Sequence, residues 1–381
     1  MILGIDASTP GSGGAKRHLS EILKCFNPAE DGFEKIKIWG VQKNLDQLPD
    51  YPWLEKFSHK FLNKNFIYRT IWQLFLRNRT FEKSGINVLF SPFGTFTGTF
   101  RPYVTMSRNM LIFDKNEQRR FGWSWMRLKL VILRFTQQKS FDKASGIIFI
   151  SQHAKNVISS FINTGSKKIA IIHHGVSSTF RSNPKLQKPI RLYNTNNPFR
   201  FLYVSSIWVY KHPWNVVQAV NNLRVKGYPV ILDIVGGKDE KKAGKKLSDV
   251  IKTVNVNEAV VFWHQKIGLE EVASYYKESD VFIFASTCEN MPNILIEAMS
   301  SGLPIVCSEY PPMPEFLKNG GIYIDPLNVA DLEEKLERLI LDSNLREHIS
   351  LVSYEESLKY NWRKCAKETF AFLSMLTNHK Q

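Results

Sequence analysis

The chain has only four cysteines, and their spacing suggests neither a metal site nor a disulfide framework. Cys25, Cys288, Cys307 and Cys365 form no C-x-x-C pair and no mixed Cys/His ligand pattern. Disulfide frameworks are typical of small secreted domains with closely spaced cysteines. We therefore expect free thiols and a reducing, cytoplasmic compartment.

Neither a signal peptide nor a membrane-spanning helix is expected. The first residues, MILGIDASTP, read as a strand followed by a turn, without the basic segment and cleavage site of a signal peptide. A membrane-spanning helix needs about eighteen consecutive apolar residues. Runs of that length do not occur in the sequence.

Acidic residues are scarce relative to basic ones, since 35 Asp and Glu stand against 51 Lys and Arg, a net charge of +16. Such an excess favours an anionic partner, and nucleic acid, anionic lipid and phosphorylated small molecules all remain open. Basic and aromatic residues are interleaved over 53–83 and 115–143. These stretches could hold nucleic acid, lie on an anionic membrane surface, or simply pack with a solvated basic face. The sequence contains no recognisable nucleic-acid-binding module, so we expect no nucleic-acid partner.

The length of 381 residues suits two domains, and the order of apolar segments predicts an α/β fold in both. Alternating strands and helices occupy 1–182, and a second alternating series occupies 200–360. Between them, 183–199 is rich in Pro, Asn and charge and reads as a linker. A last helix is expected over 361–381. Predicted strands lie over 2–5, 36–41, 88–91, 103–106, 146–151, 169–173, 201–205, 230–235, 260–263, 281–284, 303–307 and 322–324.

The most informative segment is 280–309, DVFIFASTCENMPNILIEAMSSGLPIVCSE. An apolar strand leads into a polar turn with Glu289, and Pro292 then opens a helix that carries Glu297 about two turns inside. Free N–H groups at the helix start form an anion site beside the carboxylates. Loops beyond the carboxyl ends of parallel strands are where open α/β sheets bind ligands. A pyrophosphate with sugar and ribose hydroxyls would use both features.

This segment, with its Glu289-x7-Glu297 spacing, resembles the E-x7-E motif of glycosyltransferase family 4, the retaining nucleotide-sugar glycosyltransferases with the GT-B fold. The resemblance covers nearly the whole chain, through SGG, HHGVSSTF, YVSSIWVYKHPWNVV, YYKESDVFIFAS and YNWRKCAKETF in this order. It implies two Rossmann-like domains with parallel sheets facing across a cleft. The first, 1–182, would bind the acceptor and the second, 200–360, the nucleotide sugar. The C-terminal helix, 361–381, would cross back to the first domain.

The resemblance also implies roles for residues of the motif. Glu289 would contact the donor sugar and Glu297 the nucleotide ribose. The backbone of Asn290, Met291 and Pro292 would lie against the sugar, where family members commonly have glycine-bearing residues. The amides near Asn293 and Ile294 would face the diphosphate.

Further roles fall outside the motif. Lys211 matches the family lysine that neutralises the diphosphate, whereas Ser206 stands where its usual arginine partner would be. A base pocket built largely from backbone groups would lie at the residues after the strand that ends near 263, namely His264, Gln265, Lys266 and Ile267.

In the N-terminal half, the resemblance places Gly13 and Gly14 in a loop that approaches the donor phosphates and the acceptor. A strand-to-helix turn that needs glycine for its backbone is an equally good interpretation. Arg108 and Asn109 occupy the stretch in which many family members have a histidine near the reacting sugar.

The implied activity is transfer of a sugar from a nucleotide-diphosphate donor to a glycan or lipid-linked glycan acceptor with retention of configuration. It would need no metal or other cofactor, because helix amides and Lys211 meet the phosphate charge. Two alternatives stay open: a sugar-nucleotide epimerase of the same architecture, and a nucleotide-sugar-binding protein without turnover. The expected location is cytoplasmic, on the inner face of the membrane.

Overall fold

The computed structural model describes residues 1–9, 13–165, 167–256 and 259–377. Their backbone contacts divide the chain into two compact units. The first unit consists of Met1–Phe113, Ser124–Gly175 and Asn361–Gln381, and the second of Asp114–Trp123 and Val176–Tyr360. The residues predicted as a linker, 183–199, therefore belong to the second unit.

Thirteen strands are present in the described residues. They are Ile2–Ala7 (β1), Lys35–Gly40 (β2), Leu54–Phe57 (β3), Val88–Ser91 (β4), Tyr103–Met106 (β5), Gly146–Phe149 (β6), Lys168–Ile171 (β7), Phe199–Val204 (β8), Val230–Val235 (β9), Val261–His264 (β10), Val281–Phe284 (β11), Ile305–Ser308 (β12) and Ile322–Ile324 (β13).

Most of the α-helices in the described residues lie between these strands, and the last three follow β13. They are Gly13–Lys24 (α1), Gln42–Leu45 (α2), Phe66–Ile71 (α3), Arg77–Glu82 (α4), Lys115–Arg119 (α5), Trp125–Lys143 (α6), Gln152–Ser159 (α7), Pro213–Val225 (α8), Lys241–Val254 (α9), Leu269–Glu278 (α10), Asn293–Ser300 (α11), Met313–Leu317 (α12), Val329–Leu341 (α13), Ser343–Ser357 (α14) and Trp362–Met375 (α15).

The first unit is built on a seven-stranded sheet of order β3-β2-β1-β4-β5-β6-β7, in which every pair is parallel. Strands β4, β5 and β6 are buried along their whole length, as expected for a parallel sheet covered on both faces. A buried ion pair ties its core together, because the Arg77 guanidinium donates to Asp6 Oδ2 over 3.1 Å and lies 4.5 Å from the Phe96 ring centre. The C-terminal helix α15 belongs to this unit, where its Phe370 packs edge-on against Phe26.

The second unit has a six-stranded parallel sheet of order β10-β9-β8-β11-β12-β13. Its strand order repeats that of the first six strands of the other sheet, and both match the Rossmann pattern 3-2-1-4-5-6. Apolar side chains from β8, β9 and β11 form its core together with those of α8, α13 and α14. The two parallel α/β units agree with the predicted fold class.

The segment 183–199 is anchored to the second unit by one arginine of α14. The buried Arg346 side chain donates from Nε to Gln187 Oε1 over 3.2 Å and from Nη2 to the Lys188 carbonyl. Its Nη1 donates to the Ile340 carbonyl over 3.0 Å, and its guanidinium lies 5.1 Å from the Phe199 ring centre. This stretch is therefore held against α13 and α14 despite its loop-like composition.

Predicted strands 88–91, 103–106, 230–235, 281–284 and 322–324 are confirmed to the residue. The strand expected over 303–307 instead starts at Ile305, because Gly302 ends α11 with a positive φ of 65° and delays the next strand. Strand β3 was not predicted, since Leu54–Phe57 lies within an aromatic-basic stretch and carries only one fully buried side chain. In the described ranges, every helix is too short or too polar to cross a bilayer.

Candidate functional site

The main predicted residues of the second unit lie at the point where the strand order of its sheet reverses. Strand β8 pairs with β9 on one side and with β11 on the other, so the chain leaves β8 and β11 in opposite directions. Lys211 lies in a short 3-10 turn after β8, and Glu289 lies in the loop after β11. A crevice at such a reversal is the usual ligand site of an open α/β sheet.

The structure brings Lys211 and Glu289 together. Lys211 Nζ forms an ion pair with Glu289 Oε1, and both side chains are largely buried. The Tyr203 hydroxyl donates to the Lys211 carbonyl over 2.6 Å and fixes the turn. The ammonium group lies 5.3 Å from the centre of the Phe284 ring, so a strand residue also contacts the cation. Cation and carboxylate are therefore held at one place by three separate parts of the chain.

A buried histidine that the sequence did not reveal connects the two loops. His212 has a left-handed backbone, with φ 50° and ψ 36°, and immediately precedes α8. Its Nε2 lies 3.2 Å from Thr287 Oγ1, while the Thr287 amide donates to the Tyr210 carbonyl over 2.9 Å. Burial, aided by the charges of Arg120 and Lys246, lowers the pKa of His212 to about 3. It is therefore neutral near pH 7, and its spacing from the motif gave no signal in the sequence.

Burial and negative charge keep the neighbouring acids of the site protonated. The pKa values of Tyr203 and Tyr210 are raised, first by burial and then by the Glu289 charge. The pKa of the Cys288 thiol is raised well above its usual range by burial and by the charges of Asp114 and Glu289. Asp114 begins the segment Asp114–Trp123, which belongs to this unit although it interrupts the first one in sequence.

The helix of the motif starts where the sequence predicts, and Pro292 occupies the position before its first residue, Asn293. The Asn293 amide donates to the Met291 carbonyl over 2.9 Å, which tightens the turn. Glu297 is buried in the second turn of α11, nearer the helix start than the predicted two turns. Asn290 and Met291 are also buried, so bulky side chains fill the places where the resemblance implies smaller residues.

The carboxyl ends of β8, β9 and β10 are bound to one another by backbone contacts. Gly236 has a φ of 144°, and a Cβ at this position would lie 2.0 Å from the Ser205 carbonyl oxygen. The Trp263 indole donates to the Gly236 carbonyl over 2.9 Å. Ser206, which stands where the resemblance implies an arginine, is exposed beside this contact. A second fixed cation is thus missing at Ser206.

His264 makes a hydrogen bond that its predicted role does not include. Its Nε2 donates to Asp233 Oδ1 over 2.8 Å, and its ring lies 4.7 Å from that of Tyr275. Arg200 Nη1 lies 3.3 Å from the other oxygen of Asp233. The residues that follow, Gln265 and Lys266, are exposed, with Lys266 at a φ of 59°, and Ile267 is half-buried. Their assignment to a base pocket stays a prediction.

Arg181, just before the residues predicted as a linker, bonds to the last residue of the second unit. Its Nη2 donates to the Tyr360 carbonyl over 3.0 Å. The guanidinium therefore fixes the end of the second unit's chain.

In the first unit, Arg108 lies beside the start of α1. Its Nη2 donates to the Gly14 carbonyl over 3.0 Å, and its Nη1 lies 3.4 Å from His174 Nε2. Burial lowers the pKa of this guanidinium to about 10, and within the described ranges no carboxylate pairs with it. Gly13 and Asn109 are exposed, and the Asn109 side chain accepts from the Leu111 amide over 3.1 Å. Gly11, also in the predicted glycine turn, lies outside the described residues.

The His174 ring contacts the ring of His18, a buried histidine of α1. The centres of the His18 and His174 rings are 4.6 Å apart, and burial holds the pKa of His18 well below its usual range. Trp362 of α15 lies 5.7 Å from His174. In the parts of the chain that the structure describes, three or more His, Cys, Asp or Glu side chains nowhere gather as metal ligands would.

Residues 188–355 match the sequence profile of the family described as "Glycosyl transferases group 1". The matched range contains Lys211, Glu289 and Glu297, and most of the second unit. It covers less than half of the chain.

Curated relatives are similar over parts of their length. The O-antigen chain mannosyltransferase RfbU of Salmonella typhimurium is 25% identical over 199 residues, which are 52% of this chain and 52% of RfbU. The sulfoquinovosyl transferase of Arabidopsis thaliana is 34% identical over 99 residues, 25% of this chain and 19% of that protein. The chain thus spans about half the length of the first relative and about a fifth of the second.

A solved structure extends the likeness to the whole chain. Anabaena HepE, in complex with UDP and glucose, superimposes with a TM-score of 0.70 over 99% of this chain and 100% of its own, at 17% identity. At that identity the likeness concerns the fold alone. Together with the two parallel sheets, it confirms the predicted GT-B fold class.

Proposed function

We propose that this protein is a glycosyltransferase that moves a sugar from a nucleotide-diphosphate donor to a glycan or lipid-linked glycan acceptor, with retention of configuration. The observation that carries the proposal is the Lys211–Glu289 ion pair at the strand-order reversal of the second unit. Support comes from the group 1 profile over the same residues, and from RfbU, a mannosyltransferase of O-antigen chains.

The arrangement suits a diphosphate leaving group. In the free protein Lys211 neutralises Glu289, so the buried carboxylate does not stand alone. A bound diphosphate would offer the ammonium a second anion, next to the start of α11, which no side chain caps. Glu289 would then be available to accept hydrogen bonds from sugar hydroxyls. Because Lys211 and the helix amides supply the positive charge, we expect the reaction to need no metal.

Retention follows if the leaving group and the acceptor use the same face of the sugar. The bond from the anomeric carbon to the phosphate oxygen breaks, and its electron pair leaves with the diphosphate. The acceptor hydroxyl forms the new bond and passes its proton to a phosphate oxygen. A positively charged sugar is stabilised meanwhile by the fixed carboxylate of Glu289. His212, being neutral and bonded between the two loops, acts by holding their geometry.

A panel of nucleoside diphosphates and their sugars tests the proposal. A ligand that binds the folded state raises the thermal unfolding temperature. We expect UDP or GDP, and the corresponding sugars, to stabilise the protein. Glu289→Ala and Lys211→Ala should each reduce transfer by more than about tenfold, equivalent to about 1.4 kcal/mol of barrier. Near-normal turnover in both variants would refute the site.

A further inference from the structure

Helix α6 of the first unit presents a stripe of large apolar side chains to solvent. Trp125, Leu128, Ile132 and Phe135 are spaced by three, four and three residues, so they share one face of the helix. They are 76%, 50%, 50% and 54% exposed. Adjacent exposed apolar side chains on one helix face are typical of interaction surfaces.

The opposite face of α6 already attaches the helix to its own unit. Leu130, Gln137, Ser140 and Phe141 are buried there, and the Ser140 hydroxyl accepts from the Phe96 amide over 2.8 Å. The exposed stripe is therefore not needed to hold the helix on the sheet. Its pattern is unusual, because polar Gln137 and Ser140 face inward while Trp125 and Phe135 face outward.

A second exposed apolar surface lies on the helical segment 66–82. Phe66, Ile67, Leu74 and Phe75 are 75%, 65%, 57% and 74% exposed. Trp72, Arg77 and Phe81 of the same segment are buried. A π-helical turn, Trp72–Leu76, joins α3 to α4, and the Arg77 amide donates to the Trp72 carbonyl across it. The extra residue in this turn lets Trp72 and Arg77 share the inward face.

Both surfaces lie on the same side of the seven-stranded sheet. The connections β3 to β4 and β5 to β6 cross the sheet in the same direction, and right-handed crossovers then place their helices on one face. Phe96 contacts both, since its ring lies 6.2 Å from that of Phe81 in α4 and its amide bonds to Ser140 in α6. We name the eight exposed side chains the apolar-basic face: Phe66, Ile67, Leu74, Phe75, Trp125, Leu128, Ile132 and Phe135.

The two segments that carry the apolar-basic face contain basic residues and no acidic ones. Within the first unit, neither 56–81 nor 124–141 contains an Asp or Glu, whereas they contain six and four Lys or Arg. Lys129, Lys139 and Lys64 are exposed. Lys64 Nζ lies 4.5 Å from the Tyr68 ring centre, and the Arg134 guanidinium lies 5.3 Å from that of Phe135. Aromatic rings with cations beside them are suited to the headgroup region of a bilayer.

We propose that the apolar-basic face binds the surface of an anionic lipid bilayer, with its apolar side chains at the acyl boundary and its lysines on the lipid phosphates. A second copy of the chain is a poor occupant, because pairing two such faces would bring like charges together. Nucleic acid is a poor occupant too, because aliphatic Leu128 and Ile132 stand where backbone phosphates would need cations. One consequence of membrane binding rests on the proposed function: a glycosyltransferase held at the bilayer would meet an acceptor anchored in the same lipid.

Co-sedimentation of the full chain with vesicles tests this inference. We expect binding to phosphatidylcholine vesicles that contain phosphatidylglycerol, weakening with salt, and little binding to phosphatidylcholine alone. Trp125→Ser/Ile132→Ser/Phe135→Ser should weaken binding by at least about tenfold. Lys129→Glu and Lys139→Glu should each weaken it by about fivefold or more at low salt, since one cation near the surface is worth about 1 kcal/mol.

Leu351→Ser/Leu358→Ser is the matched control, because these leucines are exposed on and just after α14 of the second unit. It should bind vesicles as the wild type does. Failure of the wild type to bind anionic vesicles, or undiminished binding by the triple variant, would overturn the proposal. So would a dimer, or binding to single-stranded DNA, that the triple substitution abolishes while vesicle binding persists.

Nucleotide stabilisation separates this inference from the proposed function. The triple variant should keep the rise in unfolding temperature that a nucleoside diphosphate gives the wild type, because the altered side chains lie on the surface of the other unit. Loss of vesicle binding with nucleotide binding intact supports the membrane face. Vesicle binding by a protein whose unfolding temperature does not rise with any nucleoside diphosphate would support the membrane-binding face and contradict the proposed glycosyltransferase activity.

Discussion

Substitutions of Lys211 and Glu289 should change both the stability of the protein and its catalytic activity. The Lys211 and Glu289 side chains are 8% and 16% exposed, so replacing one partner leaves the other charged with little water to solvate it. Breaking a buried pair typically costs 3 to 5 kcal/mol. Because Glu289 keeps some contact with solvent, we expect about 2 to 4 kcal/mol of lost stability for Lys211→Met or Glu289→Gln alone.

The double variant Lys211→Met/Glu289→Gln should behave differently in the two measurements. It removes both charges at once, so most of the lost stability should return. Activity should not return, because the diphosphate still lacks its cation and the sugar its carboxylate. Each single variant and the double variant are therefore expected to lose more than about tenfold in turnover.

Thermal unfolding and release of nucleoside diphosphate from the donor sugar are the two assays. Lys226→Met serves as the control, because Lys226 Nζ pairs with Glu337 over 2.8 Å on the surface of the same unit. Surface pairs contribute about 0 to 1 kcal/mol, so this variant should stay close to wild type in both assays. A double variant that recovers turnover, or single variants as stable as Lys226→Met, would refute the reasoning.

Three other perturbations follow from the structure. The pKa of His212 is about 3 in the folded protein and about 6.5 when unfolded, so its contribution to stability is present above pH 6.5 and is lost as the pH falls toward 3. His212→Gln should therefore make the free energy of unfolding less dependent on pH, by about 1 kcal/mol per pH unit between pH 7 and pH 5. Arg77→Leu should lower the free energy of unfolding by about 3 to 5 kcal/mol, because it leaves the buried Asp6 carboxylate without its cation. The unfolding temperature should fall accordingly, and the double variant Arg77→Leu/Asp6→Asn should be destabilised less. Gly236→Ala should destabilise by about 2 kcal/mol or more and weaken nucleotide stabilisation, because the added Cβ meets the Ser205 carbonyl; a variant as stable as wild type would show that the two loops can separate.

Much of the fold could be predicted because its signals are local. Parallel strands buried on both faces are continuous apolar runs, and 281–284 and 88–91 are therefore visible without any knowledge of their neighbours. The helix start at Pro292 is likewise local, since proline is tolerated where no amide hydrogen bond is required. These elements place Glu289 in a loop at the sheet edge before any contact is known.

The contacts of the site could not be predicted, because they join residues far apart in sequence. The Lys211–Glu289 pair spans 78 positions, and no periodicity reports it. His212 reads as one histidine among nine until its left-handed backbone and its contact with Thr287 are known. Asp114–Trp123 belongs to the second unit because of its packing, which the sequence does not reveal. The contact between the His18 and His174 rings could not be predicted for the same reason.

Phosphorus NMR of the wild type with a stabilising nucleotide sugar and a lipid-linked glycan tests the central claim most directly. We predict that the nucleotide-sugar signals give way to those of the nucleoside diphosphate, and that Glu289→Gln slows this by more than about tenfold. Release of a nucleoside monophosphate would mean that a different bond is broken. Conversion to an isomeric nucleotide sugar without release, or binding without any change, would contradict sugar transfer by this protein.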